Sequence, residues 1–275
     1  MTMTGTDAVA ARYGVAFGGT APPLEHVNAV LAAQLAHRSV RAYLSDPLPE
    51  SVLPTLVAAA QSAASSGNLQ LWSVIAVRDP ERRARLAELA AGQAHIAQAP
   101  LLLVWLADLA RARRIARSRR GDAEGADFVE SALVGFIDAA LAAQNAALAA
   151  ESLGLGTVYI GALRNHPVEV AAELGLPSHV VAAFGLVVGY PDPSGTAAVK
   201  PRLPQDAVLH HETYDLTRQD APVAAYDEVL TAFYAAEGLP GRWIDRVADR
   251  FGSVAGLRGR DRLRAALLQL GFPLR

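Results

Sequence analysis

Five consecutive residues, His37-Arg38-Ser39-Val40-Arg41, bring an imidazole, two guanidinium groups and a hydroxyl together, a set suited to gripping a phosphate. A guanidinium offers a planar fork of N–H donors that matches two phosphate oxygens at once, as a lysine ammonium does not, and the serine hydroxyl and nearby backbone amides can add hydrogen bonds. A second cationic pair lies far along the chain in Lys200-Pro201-Arg202. The proline keeps that stretch extended, so both side chains leave a stiff backbone. A third basic run, 111–120, has few apolar anchors and reads as a solvated excursion, the alternative being a phosphate or nucleic-acid contact. Ser65-Ser66-Gly67-Asn68-Leu69-Gln70 is a run of small polar residues ahead of an apolar stretch, suited to hydrogen-bonding a polar ligand or to an ordinary connection. In Thr157-Val158-Tyr159-Ile160-Gly161-Ala162, an extended segment carries a glycine where a flat ligand could approach the backbone.

Several chemistries are excluded. The chain of 275 residues has no cysteine, which removes disulfides, thiolate nucleophiles and cysteine metal sites. Its seven histidines lack the spacing of a zinc-binding helix. No serine sits in a G-x-S-x-G elbow, and no P-loop is present. Leu153-Gly154-Leu155-Gly156 falls at the end of a helix rather than after a strand, the wrong context for a dinucleotide-binding turn. A formal charge of −2 does not suit a protein whose whole surface serves nucleic acid. No secretory signal is legible, and the apolar runs at 101–106 and 131–153 are respectively too short and too often interrupted by polar residues to be spans, so no membrane and a cytoplasmic location are expected.

The elements that position these groups follow from periodicity. Residues 1–23 read as a flexible N-terminal arm without chemistry, followed by a helix over 24–36 that ends at the basic cluster. Ser51 is expected to cap a helix running to about residue 64, a strand covers 72–77, an amphipathic helix 81–91, and a second strand, buried on both faces, 101–107. The stretch 128–153 is the strongest helix, apolar nearly all round, hence buried on more than one side, within the domain or against a second copy. A third buried strand covers 183–188. Beyond residue 218 the chain reads as a C-terminal helical extension, with a helix over 226–236 and two basic amphipathic stretches, rather than an independent domain.

Taken together, His37-Arg38-Ser39-Val40-Arg41, the Ser65-Ser66 loop, Gly92-Gln93 with His95, Ala143-Gln144-Asn145, the run from Gly154 to Asn165 and Lys200-Pro201-Arg202-Leu203-Pro204 resemble the FMN-dependent nitroreductase superfamily. The similarity is greatest to its oxygen-insensitive NADPH nitroreductase and flavin reductase group, and it runs from about His37 to Tyr214. It implies an α+β fold, with a mostly antiparallel sheet flanked by helices, and a long buried helix at the interface of a homodimer that binds FMN between its subunits. It implies NAD(P)H oxidation in ping-pong fashion: NADPH or NADH gives a hydride to the flavin, leaves, and is replaced by a nitroaromatic, quinone or flavin acceptor. The alternative is a non-catalytic flavin-binding or sensing protein on the same fold.

By position, the resemblance gives His37, Arg38, Ser39, Arg41, Lys200 and Arg202 to the FMN phosphate, ribityl chain or electron-rich ring edge. Ser65, Ser66, Asn68 and Gln93 fall at the ribityl chain or ring edge, and Tyr159, Ile160, Gly161 and Ala162 along the isoalloxazine. It places the FMN-binding domain at 24–218. Ala162 departs from the pattern, standing where the group usually has a second glycine. Arg242, Arg258 and Arg260 are candidates for a nicotinamide 2′-phosphate. No side chain need act as a nucleophile, because the redox chemistry belongs to the flavin.

Overall fold

A computed structural model describes residues 4–195 and 197–275. In chain order the described residues form helices α1 (Gly5–Arg12), α2 (Ala29–Leu35) and α3 (Val52–Gln61), strand β1 (Trp72–Val77), helices α4 (Pro80–Leu89) and α5 (Ala94–Gln98), and strand β2 (Leu101–Asp108). Helices α6 (Ala110–Arg120) and α7 (Val129–Ser152) precede strand β3 (Gly156–Ile160), helix α8 (Pro167–Glu173) and strand β4 (Val180–Gly189). Helices α9 (Asp220–Ala236), α10 (Trp243–Phe251) and α11 (Leu263–Gln269) complete the chain. The residues group into two compact units, Met1–Arg38 with Thr196–Leu257 and Ser39–Gly195 with Arg258–Arg275.

The second unit is built on a four-stranded sheet in the order β1-β2-β4-β3, every pairing antiparallel. This is the α+β architecture expected. The apolar run of β2 is buried along its whole length, as such a run requires. Because side chains alternate across a strand, Leu102, Val104 and Leu106 pack in one cluster with Leu86 of α4 and Ile96 of α5, while Leu101, Leu103 and Trp105 pack in another with the alanines of α7. Ala139, Ala142, Ala143, Ala146, Ala147 and Ala150 all lie within that second cluster, and their small side chains let α7 lie close on the sheet. Helix α7 is long and apolar enough to cross a membrane by length and composition, yet this face is buried in the protein's own core. On another face Val129, Leu133, Ile137 and Leu141 recur every fourth residue and are exposed.

The first unit corrects one expectation. The N-terminal stretch read as a loose arm contains α1, capped by Thr4, whose hydroxyl accepts from the Asp7 amide at 3.2 Å and donates to the Asp7 carboxylate at 2.6 Å. Ala8, Val9 and Arg12 are buried. Helix α9 starts earlier than its apolar periodicity indicates, with Pro222 in its first turn where a missing N–H costs nothing. Its Tyr226, Leu230, Phe233 and Tyr234 form a small core with Phe17, Leu203 and Trp243. Two further caps differ: α2 begins at Asn28, whose side chain accepts from the Leu31 amide, and Ser51 makes no capping hydrogen bond before α3.

Candidate functional site

In the first unit the candidates are His37, Arg38, Lys200 and Arg202, and a buried residue absent from the sequence reading organises them. Arg12 lies at the end of α1, 7 % exposed. Its guanidinium donates to the carbonyls of Leu35 at 3.1 Å, Lys200 at 2.8 Å and His37. Its own carbonyl accepts from the Arg202 amide at 2.9 Å. One side chain thus ties together basic stretches some 160 positions apart in the chain, satisfying carbonyls that no regular element could pair. Arg38 and Arg202 are exposed, and no carboxylate pairs with either among the described residues. Lys200, the chain's only lysine, holds its ammonium 5.5 Å from the centre of the Tyr234 ring. Lys200 and Arg202 line a cavity of about 520 Å³ walled by Tyr226, Leu230, Tyr234 and Trp243.

In the second unit Ser39 and Arg41 run alongside β3. Ser39 bridges Thr157 in parallel, and the Val40 amide donates to the Thr157 carbonyl at 2.9 Å. Gly156 permits this approach, since a Cβ there would stand 2.8 Å from Val40. Arg41 is exposed, unpaired with any described carboxylate, and close enough to lower the pKa of His95, an effect in which burial is the larger cause. The His95 Nε2 is buried without a hydrogen-bond partner among the described residues. Gln93 precedes α5 and donates to the Ala90 carbonyl at 2.8 Å. At the far end of β3, Tyr159 donates to Gln144 at 3.3 Å and packs edge-on to Phe184. Ile160 is buried, and the chain turns into a short 3-10 helix at Gly161 and Ala162 rather than staying extended.

The Ser65–Gln70 loop is held from two sides. Asp138 of α7, 1 % exposed, accepts from the Ser66 amide at 3.1 Å and the Leu71 amide at 2.9 Å. From α6, Arg111 donates to the carbonyls of Gln70 and Trp72. The Ser65 hydroxyl accepts from the Gln70 amide at 2.9 Å. Between these anchors Gly67, Asn68 and Gln70 all have positive φ. Two non-glycine residues in that region require surroundings that over-determine the backbone.

Sequence reasoning missed Arg12 and Asp138. The signal for Arg12 was the Thr4–Asp7 capping pattern, and for Asp138 a carboxylate in the apolar middle of α7, away from Glu130 and Glu151 near its ends. It also misread part of the basic run, for Arg111 and Arg113 are structural: Arg113 is buried and meets Asp127 at 2.6 Å. Of the candidates for a 2′-phosphate, Arg242 is paired with Asp227 and Glu228, and Arg260 donates to Asn165 at 2.8 Å.

The donors present fit a flat, phosphate-bearing group. In the first unit Arg38 and Arg202, and in the second Arg41, have no carboxylate partner among the described residues. In the second unit the His95 Nε2 is buried without a partner among the described residues and the Ser65–Gln70 loop is anchored by Asp138 and Arg111. Each of these features suits a polar, anionic ligand. Comparison with known proteins agrees. The profile of the Nitroreductase family matches residues 35–190, and that of its C-terminal domain residues 200–275. An FMN reductase (NAD(P)H) of Bacillus subtilis is 44 % identical over 212 residues, covering 75 % of this chain and 83 % of that protein. An NADPH-flavin oxidoreductase of Vibrio harveyi is 39 % identical over 210 residues, covering 76 % and 84 %. Among solved structures, B. megaterium NfrA2 superposes with a TM-score of 0.84 at 38 % identity, over 90 % of this chain and all of that one. The V. harveyi NADPH:FMN oxidoreductase complexed with NAD+ gives 0.79 at 34 %, over 90 % and 100 %. By sequence and by fold alike, the chain belongs to the nitroreductase family.

Proposed function

We propose that this protein is an FMN-dependent NAD(P)H oxidoreductase of the nitroreductase and flavin reductase type. The observation that carries the reading is the Arg12 guanidinium, which gathers the His37 and Lys200 main chains so that cations distant in sequence share one neighbourhood. Bound FMN supplies hydride acceptance from NADPH or NADH and two-electron delivery to a nitroaromatic, quinone or flavin. The residues bind, orient and bias charge. Arg38, Arg41, Lys200 and Arg202 neutralise the phosphate and the electron-rich edge of the ring, with hydrogen bonds from His37 and Ser39, and a fixed cation there favours the reduced, anionic form. Ser65, Ser66, Asn68 and Gln93 offer hydrogen bonds to the ribityl chain and ring edge, and Tyr159, Ile160, Gly161 and Ala162 a surface for the ring. Residues 24–218 form the FMN-binding body and 219–275 its helical extension.

The working form is a cytoplasmic homodimer with FMN at its interface, joined through the exposed row Val129, Leu133, Ile137 and Leu141 of α7, which is too regular an apolar stripe to face water. Of the nicotinamide-phosphate candidates, Arg258 remains without a carboxylate partner among the described residues, whereas Arg242 is neutralised. The deciding experiment is to purify the chain with FMN supplied, measure retained flavin and mass in solution, and mix it anaerobically with NADPH in a stopped-flow instrument. A yellow dimer whose flavin band bleaches within seconds is expected. A colourless protein would overturn the reading, and a yellow protein that does not bleach would make it a flavin-binding sensor.

A further inference from the structure

We infer that Asp138 is a positioning residue for the cofactor: from α7 it sets the shape of the Ser65–Gln70 loop, and through that loop the grip on FMN. The inference rests on the reading that this loop meets the flavin. Asp138 is the mid-helix carboxylate of α7, its neighbouring positions Ala139, Ala142 and Ala143 are all buried, and it is itself nearly inaccessible. Burying a carboxylate is costly unless its lone pairs are met. Here they are met by two backbone N–H groups, those of Ser66 and Leu71, which bracket the loop. A carboxylate is acceptor-only, so both oxygens can serve two amides at once, whereas an asparagine would turn an NH2 toward one of them. The bracketed residues include Gly67, Asn68 and Gln70 at φ 54°, 57° and 52°, a conformation that side-chain-bearing residues hold only when anchored. The anchor matters to a ligand because this conformation fixes where the loop's hydroxyls, amides and carbonyls point, and affinity depends on those groups being ordered before binding.

The test compares Asp138→Asn with Ala142→Gly, which weakens the same buried helix without touching the loop's amides. FMN affinity is read from flavin fluorescence quenching and the environment of bound flavin from its visible circular dichroism. Asp138→Asn is expected to weaken FMN binding by roughly tenfold or more, the loss of one charge-assisted hydrogen bond in a pre-formed site, and to change the dichroism. Ala142→Gly, at equal or greater loss of thermal stability, should leave both near wild type. Equal FMN affinity in the two variants would overturn the assignment. Should Asp138→Asn fail to fold, hydrogen exchange in the wild-type chain decides: FMN should slow the Ser66 and Leu71 amides, and exchange unaffected by bound FMN would overturn it. A wild-type chain that binds no FMN sinks the proposed function instead, so the two failures are told apart.

Discussion

Arg111 and Arg113 donate to carbonyls and carboxylates of their own unit, whereas Arg38 and Arg41 stand exposed with no carboxylate partner among the described residues. Both pairs come from basic runs of similar composition. What separates them is the supply of acceptors: β2 ends at Asp108 and the segment before α7 brings Asp127, so the start of α6 has acidic partners at hand. Ser39 and Val40 instead lie along the main chain of Thr157, with Val40 buried, while Arg38 and Arg41 are exposed. A cation already matched by a carboxylate has little left to attract an incoming phosphate, while an unmatched one attracts it strongly. Density of arginine therefore does not by itself mark the ligand site.

Mutations test that contrast. The largest effect is expected for Arg113→Ala, which leaves Asp127 without its 2.6 Å partner. Thermal unfolding should move down by roughly 5–10 °C, while flavin per folded protein stays unchanged. Arg41→Ala and Arg202→Ala should do the reverse, weakening FMN binding by about 2–3 kcal/mol with little change in the melting temperature of the flavin-free protein. Unchanged flavin content in both variants would show that the phosphate sits elsewhere. Because Lys200 is the chain's only lysine, an amine-selective reagent followed by peptide mass spectrometry reports on that side chain, and FMN should slow its labelling severalfold.

A smaller effect concerns pH. His95 is held below the ordinary histidine value, chiefly by burial and then by Arg41. The unfolded chain therefore takes up the proton first, so stability should decline as pH falls from about 6.5 and level off once the folded imidazole also titrates. Urea midpoints at pH 8 and pH 5 measure this, and the decline should be shallower in Arg41→Ala. An unchanged decline would mean that Arg41 is not near His95. The smallest effect is expected for Arg119→Ala with Arg120→Ala, on the exposed end of α6, where stability and flavin affinity should each stay within about 0.5 kcal/mol of wild type.

The periodicity of the chain placed β1, β2 and α7 to within a residue or two, because each carries an uninterrupted signal: alternating or continuous apolar runs for the strands and a 24-residue apolar stretch for the helix. Helix α1 was not legible, since a Thr-, Gly- and Ala-rich opening has weak propensity and is fixed by a cap and by the burial of Arg12. The candidate cations were visible as residue types. Their pairing was not, because Arg113 and Asp127 are fourteen positions apart and no local rule foretells the contact.

The amino-acid order alone determined the alternation that makes a two-sided core, the alanine face that lets α7 lie on the sheet, and the presence of basic groups in two distant stretches, since each depends only on neighbours along the polymer. Tertiary structure alone decided which arginines are neutralised, that Arg12 draws the carbonyls of Leu35, His37 and Lys200 together, and that Asp138 reaches back to the amides of Ser66 and Leu71. The physical reason is that buried donors and acceptors must find partners wherever the chain brings them, and such partners are chosen by space rather than by sequence distance.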